Sequence, residues 1–190
     1  ATGKPCSLSL ALPECNSLGL ALMGPAPLSE AFRAVQSGAA DTAIVLENDL
    51  YRRADAAAVD AFLGTASRVI ALDYLESPTT EAADVVLPVG SFAEADGTFV
   101  SQEGRAQRFY QALVTKPPVQ ESWRWLRDIM VAGGATAPGA WAGLDDVIRS
   151  MCADLPHLSG VADAAPPSSF RITGLKVARD SHRYSGRTAM

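Results

Sequence analysis

The apolar residues of this chain change period along its length, and the changes mark out the elements. From Cys6 to Leu12, serine alternates with apolar residues until Pro13 ends the run, a strand pattern. Glu14 to Gly19 then reads as a loop. Ser29 to Gln36 has helical spacing, with Leu28, Phe32 and Val35 on one face and Ser37-Gly38 as the stop. Thr42-Ala43-Ile44-Val45-Leu46 is almost wholly apolar, as strands buried on both sides of a parallel sheet are. A helix from about Asp55 to Leu63, closed by Gly64, leads to a second such strand, Arg68 to Leu72. Ser77 to Glu81 is a loop or helix start, and Asp84 to Pro88 is a further strand.

Strand and helix in alternation with short links predict right-handed crossovers. The expected fold class is α/β: an open parallel, doubly wound and Rossmann-like sheet with helices on both faces. An irregular β segment from Phe92 to Thr115 follows, turning at Asp96-Gly97 and Glu103-Gly104. Pro117-Pro118 breaks the chain. Ser122 is expected to cap a helix to about Val131, with Trp123, Trp125 and Ile129 inward. After a small-residue linker from Gly133 to Gly143, Leu144, Val147, Ile148, Met151 and Leu155 form the stripe of a last helix. Beyond Pro156 the sequence is rich in turn residues and is expected to lie over other surfaces. The domain reading is an α/β domain over 1–131 and an extended, turn-rich segment over 132–190.

Composition narrows the function classes. Of the 190 residues 19% are charged, the net charge is −5, and no basic cluster exceeds Arg52-Arg53, so a nucleic-acid partner is not expected. No apolar run reaches the roughly 20 residues of a membrane-spanning helix, so direct membrane insertion is not expected either. Cys6, Cys15 and Cys152 are far apart and form no Cys-x-x-Cys, which leaves no zinc or iron–sulfur spacing. Cys6 and Cys15 are expected in or near the core. The odd cysteine count points to a reducing compartment. No Gly-x-Gly-x-x-Gly opens a helix. His157 and His182 stand among turns, so no serine triad is expected. Ala1 occupies the place of a Met, and Ser185 to Met190 carries neither a helix stop nor a polar tail; the expectation is a portion of a longer polypeptide.

One stretch concentrates special residues: Ala83-Asp84-Val85-Val86-Leu87-Pro88, then Glu94-Ala95-Asp96-Gly97 and Glu103-Gly104-Arg105. Gly97 and Gly104 offer backbone geometries that other residues resist. Glu94, Asp96 and Glu103 against Arg105 and Arg108 suggest an ion-pair network that pins an irregular loop, with Arg105 as its anchor. No nucleophile or metal ligand accompanies these charges, which favours scaffold over catalysis.

This stretch resembles a signature of the molybdopterin oxidoreductase superfamily. Leu46-Glu47-Asn48-Asp49-Leu50-Tyr51-Arg52-Arg53-Ala54, Ser122-Trp123-Arg124-Trp125-Leu126 and His182 to Met190 are similar, more specifically, to the G-subunit family of bacterial NADH–quinone oxidoreductase, the respiratory complex I. The resemblance implies the third-domain region of a molybdoenzyme-like body. It also implies iron–sulfur clusters upstream in a parent chain, other hydrophilic-arm subunits as partners, and a cytoplasmic, membrane-peripheral location. In cofactor-binding relatives the loops at the carboxyl ends of these strands hold a pterin dinucleotide. The matching positions here, as vestigial candidates, are Asn16, Ser17, Glu47, Asn48, Asp49 and Thr80. Glu47 and Asp49 would repel a pyrophosphate and Tyr51 would fill space, so no cofactor is expected in this region. Asn48 or Asp49 is expected instead to cap the next helix. The expected function is a structural, subunit-contacting region of an electron-transfer subunit, with no catalytic residues of its own. The alternative is the pterin-dinucleotide-binding domain of a catalytic molybdoenzyme of the formate dehydrogenase type.

Overall fold

The computed structural model describes Gly3, residues 11–135, residues 141–164 and Pro166. Residues 6–10 of the strand expected over Cys6–Leu12, residues 136–140 of the linker and the stretch from His182 to Met190 lie outside the described residues.

A parallel sheet organises the first half. β1 (Thr42–Leu46), β2 (Arg68–Asp73) and β3 (Val85–Pro88) lie in that order, with Ile44 opposite Ile70 and Ile70 opposite Val85. α2 (Leu28–Gln36) and α3 (Ala56–Thr65) pack on the face that carries Ala43, Val45 and Val69. There Phe32 and Phe62 stack with ring centroids 4.6 Å apart, and Val59 is fully buried. Each buried side chain of this size contributes about 1.5–3 kcal/mol. Leu72, on the opposite face of β2, is fully buried as well, whereas Ile44 and Leu46 of β1 are half-exposed.

Local signals set most element ends. Asp55 caps α3 by accepting a hydrogen bond from the Ala57 N–H, and the helix continues through Gly64 to Thr65. Ser77 and Thr80 exchange side-chain hydrogen bonds with each other's backbone N–H, which starts α4 (Pro78–Glu81). The Asp84 carboxylate receives the Val69 N–H (2.7 Å) and fixes the entry of β3.

Three expectations need correction. The Glu14–Gly19 loop becomes helical at Ser17, where α1 (Ser17–Leu22) begins. Ser122 does not cap α5 (Ser122–Ala132); it is the first helical residue, after Glu121. The Glu121 carboxylate instead accepts from the Asp96 N–H (3.0 Å) and from Arg124 Nε (2.8 Å), tying the helix to the hairpin. Trp125 of α5 is anchored by its indole N–H on the Pro88 carbonyl (2.8 Å). Residues after Pro156 also continue in a helical turn at Pro156–Leu158 and in α7 (Gly160–Ala164), rather than lying as bare turns.

The irregular β segment is a hairpin of β4 (Gly97–Val100) and β5 (Ala106–Phe109), with Gly97 opposite Phe109 and Thr98 opposite Arg108. Alternation puts Gly97, Phe99 and Phe109 on one face, where the two rings meet at 4.6 Å. The opposite face, with Thr98, Val100 and Arg108, turns towards α1, α6 (Leu144–Asp154) and α7. There Val100, Met23, Val147 and Met151 line an apolar cavity of about 190 Å³.

The two glycines have different reasons. Gly104 lies at φ +78°, in the left-handed region. Gly97 has no such φ; a Cβ there would stand 2.2 Å from the Phe109 ring. We expect Gly97→Ala to destabilise by about 1–3 kcal/mol through overpacking, and Gly104→Ala by about 1–2 kcal/mol through its backbone. Urea unfolding of the single variants and of each combined with Phe109→Leu checks this. Phe109→Leu is expected to relieve the Gly97 variant and to add independently to the Gly104 one.

Candidate polar rim at the carboxyl end of the sheet

β1 delivers its last residues to the rim where open α/β sheets hold ligands. Glu47 extends the ladder by donating its N–H to the Leu72 carbonyl (2.7 Å). It does so at φ +47°, an uncommon conformation for a side chain other than glycine. The chain then turns into a short helical stretch, Leu50–Arg52, with Asp49 at its start.

Asp49 Oδ1 accepts from the Tyr51 N–H (3.2 Å) and from the Thr79 hydroxyl (2.8 Å). The Thr79 oxygen in turn accepts the Leu50 N–H (2.8 Å). Thr79 is fully buried, so this circuit satisfies a hydroxyl that would otherwise be orphaned. Asn48 Oδ1 accepts from Arg53 Nε (2.8 Å), and Arg53 also pairs with Glu14. The Tyr51 hydroxyl donates to Asp60 (2.6 Å), and that bond raises the phenol above its ordinary pKa.

The other candidates are engaged too. Asn16 Oδ1 accepts the Val100 N–H (2.9 Å), bridging α1 to the hairpin, and a Cβ on Gly19 would collide with it. Ser17 Oγ accepts the Glu14 N–H (3.2 Å). Thr80 is held by Ser77 in the α4 cap. The rim therefore gathers Glu14, Ser17, Asn48 and Arg53 along a cleft of about 900 Å³ between α1 and α2. Asn16 is directed to the hairpin and Thr80 to α4. Sequence reasoning missed Thr79, whose role depends on a partner 30 residues away. Cys15, expected near the core, is exposed.

The charged stretch is taken apart rather than joined. Glu94 accepts from the N–H and hydroxyl of Ser91 (3.0 and 2.8 Å), which hold its carboxyl below the usual range. Asp96 accepts the Gln111 N–H. Arg108 points to Asp145 of α6. Glu103 and Arg105 are exposed at the hairpin turn, and Arg105 has no ion pair among the described residues. Strand alternation is the reason: Arg105 belongs to the turn, while Arg108 belongs to the face covered by the C-terminal helices. The charges near α5 and α6 follow local logic as well. Asp128 is held below its ordinary pKa by Gln120 and then Arg127. Trp123 lies under the guanidinium groups of Arg124 and Arg127, at 4.3 and 5.7 Å.

A family model of molybdopterin oxidoreductases matches residues 16–131, from the start of α1 almost to the end of α5. The chain belongs to the molybdopterin oxidoreductase family. Among curated proteins it is similar to the G subunit of NADH-quinone oxidoreductase from Pseudomonas fluorescens, at 50% identity over 98% of this chain and 21% of the relative. The corresponding protein of Pseudomonas putida is 49% identical over 98% of the chain, and that of Escherichia coli K12 is 43% identical over 99%, each again covered to 21%. The chain thus spans about a fifth of the length of these relatives. The family name implies a pterin cofactor. The rim residues do not suit its pyrophosphate: Ser17 Oγ, Asn48 Oδ1 and Asp49 Oδ1 already accept hydrogen bonds within the protein, Arg53 is committed to Glu14 and Asn48, and Glu47 and Asp49 bring like charge. No helix among the described residues is long and apolar enough to cross a membrane.

Two outcomes test the roles assigned here. Arg105→Ala is expected to change stability by less than about 0.5 kcal/mol, whereas Thr79→Val, which strands the buried Leu50 N–H and leaves Asp49 Oδ1 only the Tyr51 N–H, is expected to lose about 1–3 kcal/mol. Chemical denaturation of both variants measures the contrast. The second outcome concerns Asp146, whose carboxyl is held below the ordinary 3.8 by the N–H groups of Gly143 and Ala142. A depressed carboxylate stabilises above its unfolded pKa and loses that contribution as pH falls through its folded pKa. The melting temperature is therefore expected to fall as pH is lowered below the ordinary carboxylate value, and less steeply in Asp146→Asn.

Proposed function

We propose that this region is a structural, subunit-contacting part of the G subunit of an NADH–quinone oxidoreductase, and that it holds no cofactor and performs no catalytic step itself. The observation that carries this reading is the Leu50–Thr79–Asp49 circuit, which closes the strand-end rim with the protein's own hydrogen bonds. The likeness to G-subunit proteins along nearly all of the chain supports the assignment to that component. In this reading the parent chain carries iron–sulfur clusters in its upstream part and passes electrons from NADH towards quinone. The region lies in the hydrophilic arm against other subunits, on the cytoplasmic side and peripheral to the membrane. Cofactor positions Asn16, Ser17, Glu47, Asn48, Asp49 and Thr80 serve as scaffold. Gly97, Gly104, Glu94 and Asp96 are likewise structural.

Elemental and pterin analysis of the full-length protein tests the proposal. Iron in stoichiometric amount is expected, with molybdenum, tungsten and released pterin at background. Equimolar pterin would establish the alternative, a cofactor-binding domain of the formate dehydrogenase type.

A further inference from the structure

Arg108 is nearly sealed from solvent, with 2% of its side chain exposed. A guanidinium keeps its charge when buried, so its donors require acceptors. Asp145 Oδ1 lies 3.1 Å from Nη2. That contact is close but misaligned, and among the described residues neither Nε nor Nη2 has a hydrogen-bond partner. These two nitrogens form one edge of the planar group, the edge that grips a carboxylate through two parallel bonds.

Arg108 also lines a polar cavity of about 320 Å³ between the hairpin, α6 and α7. A buried cation with two unmet donors on one edge, set in a cavity wall, is an arrangement that a bound acceptor completes. The rest of the wall narrows the ligand. Arg149, also lining the cavity, is engaged by Asp146. Asp145 and Asp163 line it too, and they oppose a ligand of purely negative charge. Ile148 and Val161 supply an apolar side.

We propose that this cavity binds a small zwitterionic carboxylate of the α-amino-acid class. Its carboxylate takes the Nε and Nη2 edge of Arg108, and the aspartates of the wall compensate its ammonium. The site is on the opposite side of the hairpin from its aromatic face and stands independently of the role proposed for the parent protein.

The 190-residue chain with isotope-labelled arginine is the sample. Glycine, acetate and inorganic phosphate are titrated in turn while arginine Nε–H resonances are followed by NMR, with sodium chloride at matched ionic strength as control. One Nε–H signal, assigned by side-chain correlation and absent in Arg108→Lys, is expected to shift saturably with glycine. Its solvent exchange is expected to slow at least about tenfold, as a charge-assisted bond forms. Acetate is expected to bind roughly five- to tenfold more weakly, a difference of about 1–1.4 kcal/mol, with phosphate weaker still. Asp163→Asn leaves Arg108 in place and is expected to narrow the gap between glycine and acetate. Phosphate as the tightest ligand, shifts matched by sodium chloride, or an Arg108 Nε–H already protected in the ligand-free chain would each overturn the proposal. The last result would mean that Asp145 alone satisfies the guanidinium.

Discussion

A fully buried threonine hydroxyl holds the carboxyl end of the sheet together. Thr79 accepts from the Leu50 N–H and donates to Asp49, so the segment after β1 is clamped to the first turn of α4. The Leu50 N–H could not be left alone there, because an unmet polar group in the interior costs about 1–3 kcal/mol. The clamp sets where Leu50 enters the core and where the chain turns towards α3. It also explains why Glu47 tolerates a left-handed backbone: the ladder on one side and the clamp on the other over-determine it.

The same clamp bears on chemistry. In an open parallel sheet, the strand ends are the natural ligand site because helix starts and free backbone groups converge there. Here the convergence is consumed internally. Asn48 and Glu14 hold Arg53, Asp49 holds Thr79 and Tyr51, and Asn16 reaches across to Val100. These bonds cross-brace the loops that leave the strand ends.

The hairpin divides its labour by face. Gly97 yields the space that Phe109 needs to reach Phe99, and this aromatic face has no charge to satisfy. The other face carries Thr98, Val100 and Arg108 under helices from the far end of the chain, and it leaves two cavities of different character, one apolar and one polar. A basic residue in a strand is thereby buried by elements more than 30 residues away, and its chemistry is set by them.

The sequence by itself determined the parallel strands, the main helices and the turn at Gly104. Each is a local matter of apolar period, capping residue or backbone freedom: Thr42–Leu46 is uniformly apolar after its first residue, Asp55 stands before a helical run, and Gly104 sits where φ turns positive. It pointed to Asn48 or Asp49 as the cap of the next helix; Asp49 starts only the short turn Leu50–Arg52, and Asp55 caps α3. What only the tertiary structure decided is pairing across distance. Adjacent charges read as a network, yet Glu94 went to Ser91, Arg105 stayed in solvent and Arg108 went to Asp145. Glu121 displaced Ser122 as the residue before α5 because the hairpin offered it a backbone N–H. Spacing along the chain encodes which residues share a face or a turn; which buried donor meets which acceptor is fixed when separate elements close on each other and every desolvated polar group must find a partner within reach.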